Sequence, residues 1–299
     1  MLNLSDFSEL KLLEALSNVY ISIFVFDIKN DDFVAIKSNR HIDVLAEYPV
    51  GSQNKMNNVM QNIAVSEHLD AVSEFVDLNT LDERLAGRDE ISLVFEGKIN
   101  GWCRNRFIVI DRAEDGSLSH VMHVVECIDE EKKRENHLLY LSQTDLMTGI
   151  SNRGHGESRI KEVLDKGQKG AFCLFDVDHF KSINDLYGHA IGDSVLVAIA
   201  EAMKAVKREQ DVAMRLGGDE FAMYFMDIMS EEEAAKYIQR LFELVEHIIM
   251  DITVLKEPVC ISMGISFYKD NASFDELYKK ADNGVYASKR RSGSSMTFC

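Results

Sequence analysis

Arg215-Leu216-Gly217-Gly218-Asp219-Glu220-Phe221 interrupts two apolar, strand-like runs, Val212 to Leu216 and Phe221 to Met226, with two glycines followed at once by two acids. Glycine tolerates positive φ and has no side chain to hold a ligand off the backbone, so the pair predicts a tight turn that a ligand can approach closely. A hairpin with solvated tip charges would account for an isolated Gly-Gly-Asp-Glu equally well, since Gly and Asp favour turns everywhere. The surrounding chain decides between the two.

Upstream, the unbroken apolar run Ala171 to Phe175 reads as a strand buried on both faces. It leads into Phe175-Asp176-Val177-Asp178-His179-Phe180-Lys181, with carboxylates at i and i+2 that share a face if the strand persists. Two acids at a strand end, facing the acids of the Gly-Gly turn, form a site for a hard divalent cation; Mg²⁺ takes one or two carboxylates and leaves room for substrate phosphates. Like charges brought together also need such a cation to offset their repulsion. Downstream, Asp193 to Lys207 carries Val195, Leu196, Ile199, Met203 and Val206 on one helical face, with Asp193 as N-cap. Ser230 with Glu233 predicts a capping box for a helix to about His247, and Ser273 with Glu276 predicts another. Alternating strands and helices imply an α/β sheet domain.

Three spaced motifs occur in order: Asp145-Leu146-Met147-Thr148-Gly149-Ile150-Ser151-Asn152-Arg153; Asp176 through Asp185, running to Gly188-His189 and Gly192-Asp193; and the Gly217-Gly218-Asp219-Glu220-Phe221 string. With these the second half resembles a GGDEF-type diguanylate cyclase over essentially all of residues 140–299. The resemblance implies a palm-like α/β (α+β) fold and condensation of two GTP into cyclic di-GMP. It implies Mg²⁺ or Mn²⁺ held by Asp176, the Val177 carbonyl, Asp219 and Glu220, with Asp219 and Glu220 catalytic. It further implies guanine recognition by Asn184 and Asp193, and phosphate contacts from the backbone amides of His179, Phe180 and Lys181 at a helix N-terminus. Gly217 and Gly218 would line the substrate.

Beyond Tyr286-Ala287-Ser288-Lys289 the chain departs from the family pattern. Lys289 matches a phosphate-binding lysine, but where the family has two residues and then Gly-Arg, this chain has Arg290, Arg291, Ser292 and Gly293. Arg290 or Arg291 is the substitute, or else the two form a basic helix end that answers the helix dipole. Arg208-Glu209-Gln210-Asp211 has the RxxD form, and its position just upstream of the strand leading to Gly217 matches the family's product-inhibition site, in which Arg forks onto the product and Asp accepts from guanine.

The first half is organised differently. Tyr20 to Phe26 and Asp32 to Lys37 flank Asn30 and Asp31 as a hairpin. A helical middle follows, then strand-like Ile91 to Phe95, Trp102 to Asp111 and Ser119 to Cys127, broken at Gly97, Gly101 and Glu114-Asp115-Gly116. Two strands, helices and three strands, ending in Asp129 at the mouth of a charged helix, resemble a PAS domain. The expected layout is a PAS-like sensory and dimerisation domain over 1–128, a connector helix over 129–142 (Ile128 to Ser142 by pattern), and a GGDEF domain over 143–299.

Composition narrows the partners. The 299 residues carry 33 basic and 50 acidic side chains, a net charge of −17. Residues 1–140 hold 14 basic against 25 acidic, and the remainder 19 against 25. Such a field argues against DNA binding. No run approaches the roughly 20 apolar residues of a membrane span, and Met1 to Leu10 lacks the basic flank and apolar stretch of a signal peptide, so a cytoplasmic protein is expected. Five widely spaced cysteines indicate neither disulfides nor zinc, and four of them fall in apolar runs that predict burial.

The expected activity is therefore attack by one GTP 3′-hydroxyl on the α-phosphate of another, twice, by a homodimer whose two half-sites face each other. Control would come from an unknown ligand of the first half. Two rivals stand beside it: a non-catalytic GGDEF module sensing GTP or cyclic di-GMP, and a mononucleotide cyclase on the related fold.

Overall fold

The computed structural model describes residues 19–47, 50–268 and 272–299. Met1 to Leu10, read above for a leader, lies outside the described residues. The chain divides into two compact units, Met1–Asn136 and His137–Cys299.

In the first unit, β1 (Tyr20–Asp27) and β2 (Asp32–Lys37) precede α1 (Arg40–Glu47), α2 (Ser52–Ile63), α3 (Leu69–Phe75) and α4 (Leu81–Arg84). Then come β3 (Glu90–Gly97), β4 (Gly101–Arg112) and β5 (Leu118–Cys127). The strands make one sheet in the order β2-β1-β5-β4-β3, with every pairing antiparallel. Alternation places Phe24 and Phe26 of β1, Phe107 of β4, and Val121 and Val125 of β5 in one core with Met56, Val59 and Met60 of α2. At the end of β5, Asp129 accepts a hydrogen bond from the Trp102 N–H at 3.3 Å and pairs with Lys133 Nζ at 2.8 Å as it opens α5 (Asp129–Gln143). Asp129, Glu130 and Glu131 fill the first turn of α5, where carboxylates complement the helix dipole.

The second unit continues with β6 (Ser151–Asn152), α6 (Arg153–Asp165), β7 (Gly170–Val177), α7 (Phe180–Tyr187) and α8 (His189–Val206). After these come β8 (Val212–Gly217), β9 (Glu220–Met226), α9 (Glu231–Met250), β10 (Ile261–Phe267), α10 (Phe274–Ser288) and β11 (Ser295–Phe298). The sheet order is β11-β10-β7-β9-β8-β6. Its four central strands are antiparallel and the two edge pairings parallel, so the sheet is mixed.

Strand β7 explains why its sequence is apolar throughout. Ala171, Cys173, Phe175 and Val177 face a core shared with Val195, Ile199 and Met203 of α8 and Ile238 and Leu241 of α9. The alternate residues Phe172 and Leu174 face Ile160 and Val163 of α6 and Leu277 and Ala281 of α10. Each fully buried Phe of this strand contributes roughly 1.5–3 kcal/mol of transfer free energy. With helices on both faces, the polar end of β7 is left as the place where chemistry can sit.

Several local expectations are corrected. Helix α8 starts at His189 after Gly188, whose φ is 85°, so Asp193 lies inside the helix and is not its N-cap. Glycines at both 188 and 192 had obscured the true start. Helix α9 runs past His247 to Met250; Ser230 Oγ accepts from the Glu233 N–H at 3.2 Å, one arm of the expected box, whereas Ser273 and Glu276 make both arms. Of the cysteines, Cys103 and Cys173 are buried, Cys260 is half-buried, and Cys127 and Cys299 are exposed. The last two occupy a strand end and the last residue of the chain, where an apolar neighbourhood in sequence does not continue in space.

Candidate active site

Across the β7–β9 ladder Asp176 lies directly opposite Glu220, while on its other side it faces Ser262 of β10. Strand β8 carries an extra residue between Arg215 and Gly217 relative to β9, so Gly217 pairs with Glu220 and the two-residue turn is Gly218-Asp219. That is one residue later than the two glycines suggest. Gly218 has φ 55°, in the left-handed region glycine adopts freely, and Asp219 follows it beside the Asp176 and Glu220 carboxylates. Arg215 fixes the turn: its Nη2 and Nε donate to the Gly218 carbonyl at 2.7 and 3.0 Å, and its Nη1 reaches Asp145 Oδ1 at 3.3 Å. Asp145 is itself held by the hydroxyl and N–H of Thr148 at 2.6 and 3.0 Å. Neither Arg215 nor Asp145 is marked out by its own motif, because their contact joins residues 70 apart in the chain.

The acids crowd one another. Burial and then the Asp176 charge hold the Asp219 carboxyl above the usual carboxylate range. Burial, Asp176, Asp219 and Asp282 do the same for Glu220. Lys289 Nζ, at the C-terminal end of α10, lies 2.8 Å from Asp176 Oδ1; burial lowers its affinity for a proton, but the Asp176 contact outweighs this and leaves it raised. Asp178, close enough to feel the charges of Asp176 and Lys289, is tied to β10: the Ser262 hydroxyl donates to both of its oxygens, at 2.8 and 3.1 Å. Among the described residues no three His, Cys, Asp or Glu side chains cage a metal unaided. The donor set still suits Mg²⁺ or Mn²⁺, because Asp176, Asp219 and Glu220, with a single ion pair to them among the described residues, that of Lys289 with Asp176, leave coordination positions for phosphate and water beside the Val177 carbonyl.

His179 adopts the left-handed conformation, φ 56°, which swings the chain from β7 into α7. The first bonds back to its carbonyl come from the Ser182 and Ile183 N–H groups, leaving the Phe180 and Lys181 amides as the first helical donors, where an anion is favoured. Asn184, half-buried on α7, packs against Gly192: a Cβ there would lie 2.0 Å from Asn184 Oδ1. Asp193, the residue after Gly192, is exposed.

Arg208 and Asp211 form a closed unit. Arg208 donates through Nε to Asp211 Oδ2 and through Nη2 to Oδ1, both at 3.1 Å, and its Nη2 also meets the Met226 carbonyl. Asp211, whose side chain is fully buried, accepts in addition from the N–H groups of Arg208 and Met226 at 2.8 and 2.9 Å. The Arg208 side chain is about one-third exposed and lies over Tyr237, 5.5 Å from its ring centroid. Beyond Lys289, where the chain departs from the family pattern, Arg290 stacks on Tyr286 at 5.3 Å and Arg291 donates to the Met296 carbonyl at 2.9 Å.

Comparison with known proteins identifies the second unit. The family model described as "Diguanylate cyclase, GGDEF domain" matches residues 142–295, just over half of the chain. Diguanylate cyclase DgcM of Escherichia coli O157:H7 is 30% identical over 200 residues, covering 60% of this chain and 48% of that protein. The uncharacterized protein YtrP of Bacillus subtilis is 34% identical over 155 residues, covering 51% and 26%. The chain thus spans between a quarter and a half of the length of these curated relatives. A solved structure of the coiled coil and GGDEF domain of DgcB from Caulobacter crescentus, in complex with c-di-GMP, aligns over 57% of this chain and 93% of its own at 25% identity, with a TM-score of 0.49. Among the described residues no helix is long and apolar enough to cross a membrane. By the extent of the match over residues 142–295, this chain belongs to the GGDEF-domain diguanylate cyclase family.

Proposed function

We propose that residues 143–299 condense two GTP into cyclic di-GMP and two pyrophosphates, in a homodimer controlled by residues 1–128. The observation that carries this reading is the direct opposition of Asp176 and Glu220 across β7 and β9, with Asp219 in the adjoining turn. Asp176, the Val177 carbonyl, Asp219 and Glu220 would hold Mg²⁺ or Mn²⁺, which when bound supplies charge stabilisation for the phosphates. The Phe180 and Lys181 amides, with the His179 N–H and Lys289, bind the phosphate chain, while Gly217 and Gly218 let it close on the backbone. Asn184 and Asp193 read the guanine edge. Asp219 and Glu220 take the proton of the attacking 3′-hydroxyl. One site holds one GTP, so a second protomer brings the other. Arg208 bonds cyclic di-GMP as inhibitor, and Asp211, its own acceptors filled, positions Arg208.

The strand order β2-β1-β5-β4-β3, with helices between β2 and β3, supports a PAS-like first half, followed by α5 as connector. One observation favours a module that binds GTP or cyclic di-GMP without turnover: Lys289 is engaged by Asp176, and Arg290 and Arg291 have partners of their own. Mass analysis of the product after incubation of the full chain with GTP and Mg²⁺ decides. Cyclic di-GMP is expected, and an Asp219→Ala protein should lose about 10²- to 10³-fold in rate, the scale of a lost electrostatic transition-state contact. Unchanged GTP would sink the enzymatic reading, as would full turnover by Asp219→Ala.

A further inference from the structure

A cavity of about 280 Å³ lies in the first unit, between the sheet and helices α1 and α2. Its walls are largely apolar, with Phe24, Phe26 and Phe33 clustered at 5.5–6.5 Å between ring centroids and Met56 and Met60 opposite. One wall residue breaks the pattern. On β5 the inward positions flanking it are Val121 and Val125, but the position between them is His123, only 2% exposed. Among the described residues neither ring nitrogen of His123 has a hydrogen-bond partner; its neighbours are the rings of Phe107 at 4.8 Å and Phe26 at 6.3 Å. Ser52, on the same cavity wall and 3% exposed, also has an unpartnered hydroxyl. More than nine in ten buried polar groups are bonded in native folds, so two on one cavity call for a partner inside it.

The charges on the wall narrow the partner's chemistry. Among the described residues no Asp or Glu lines the cavity, in a chain of net charge −17. Lys55 does line it, with its ammonium 5.2 Å from the Phe33 ring centroid and no ion pair among the described residues. A neutral imidazole offers one N–H donor beside its acceptor nitrogen, a serine one O–H and a lysine its N–H groups, so these three wall residues can all donate to one acceptor group. A cavity of roughly 150 Å³ accepts benzene, so this one admits an aromatic ring bearing a short chain.

We propose that this cavity binds a small arylalkyl carboxylate, its ring among Phe24, Phe26 and Phe33 and its carboxylate accepting from His123, Ser52 and Lys55. The site is independent of the nucleotide chemistry assigned to the second unit.

The test is isothermal titration of the full chain with 3-phenylpropionate and, in parallel, with its uncharged amide. Saturable one-to-one binding of the acid is expected, with the amide weaker by about tenfold or more, the effect of 1.4 kcal/mol. His123→Leu, which keeps the position buried and apolar, should weaken the acid by a similar factor, and Val59→Phe, which fills the cavity from α2, should abolish binding. Circular dichroism checks that both variants are folded. Absence of saturable binding by the parent protein overturns the proposal, as does full affinity in either folded variant, or a crystal of the acid-soaked protein with only water on His123. Equal affinity for the amide overturns the carboxylate assignment.

Discussion

Lys289 Nζ sits 2.8 Å from Asp176 Oδ1, so the residue expected to bind phosphate is already bonded to the carboxylate expected to bind metal. Both ends of this pair are partly shielded, with side chains 44% and 18% exposed. On the function proposed above, a bound cation would take the lysine's place at Asp176 and leave Lys289 for phosphate. Lys289→Met removes that contact without touching the acids. A charge-assisted bond is worth about 1.5–3 kcal/mol, so KM for GTP should rise roughly ten- to 150-fold, with a much smaller change in kcat. Initial rates over a GTP series at fixed excess Mg²⁺ measure both; an unchanged KM would leave Lys289 only the neutralisation of Asp176.

Gly192 gives access to the pair proposed to read guanine, Asn184 and Asp193, without substituting either member. A methyl group there would overlap Asn184 Oδ1, the far end of a side chain that can swing away, so Gly192→Ala should fold while displacing the Asn184 amide. Helix α8 itself gains from Ala over Gly by about 1 kcal/mol. The expected result is an equal or higher melting temperature with GTP affinity lowered by about tenfold, the loss of one good hydrogen bond. Retained affinity would remove Asn184 from guanine recognition.

Arg208 and Asp211 should separate in their effects. Arg208→Ala removes a fork that is about one-third exposed and leaves buried Asp211 its two backbone donors, and inhibition by cyclic di-GMP should weaken by roughly tenfold or more while the uninhibited rate holds. Asp211→Ala instead leaves the buried Met226 N–H without an acceptor and the Arg208 guanidinium with only the Met226 carbonyl. The cost of stranding such groups is about 1–3 kcal/mol each, so this variant should show a lower thermal midpoint. Rates at rising cyclic di-GMP, alongside melting curves, distinguish the two. Undiminished inhibition of Arg208→Ala would remove the product site from this position.

What could be read in the sequence follows the physics of short-range signals. Strand β7 was legible because burial on both faces demands an unbroken apolar run, and the β8–β9 turn because glycine and acid stand together. The turn's position was not, because it depends on the extra residue in β8 and on Arg215 holding the Gly218 carbonyl. The start of α8 was hidden by Gly188 and Gly192, one a cap at positive φ and the other a contact for Asn184. The Lys289–Asp176 pair and the two unpartnered groups around the first-unit cavity join residues far apart in the chain and leave no local mark.

His123 makes stability depend on pH. Burial alone pushes its pKa down to about 3, from 6.5. Between these values the unfolded chain binds a proton that the folded chain refuses, so stability is complete above about pH 6.5 and is lost as pH falls toward 3. In His123→Leu this contribution is gone, and the fall in urea midpoint from pH 7 to pH 4.5 should be smaller than in the parent. Parallel curves for the two proteins would mean that the imidazole is paired or solvated in solution.

The connector bears on assembly. Helix α5 buries none of its residues within the chain, and Leu138, Leu139 and Tyr140 near its C-terminal end are each more than half exposed, with Leu141 at 38%. Consecutive apolar residues in water carry a transfer cost that a second helix would remove, at about 25 cal/mol for each Å² covered. A cyclase that needs two GTP-loaded sites needs two chains, and a chain of net charge −17 repels its copy until a specific contact holds it. The leucines are suited to be that contact. Leu138→Glu with Leu141→Glu adds two like charges on each helix without disturbing any buried residue. Sedimentation of the full chain should shift from dimer to monomer, and cyclic di-GMP synthesis should become second-order in protein concentration. A double variant that remains dimeric and fully active would place the dimer contact on another surface.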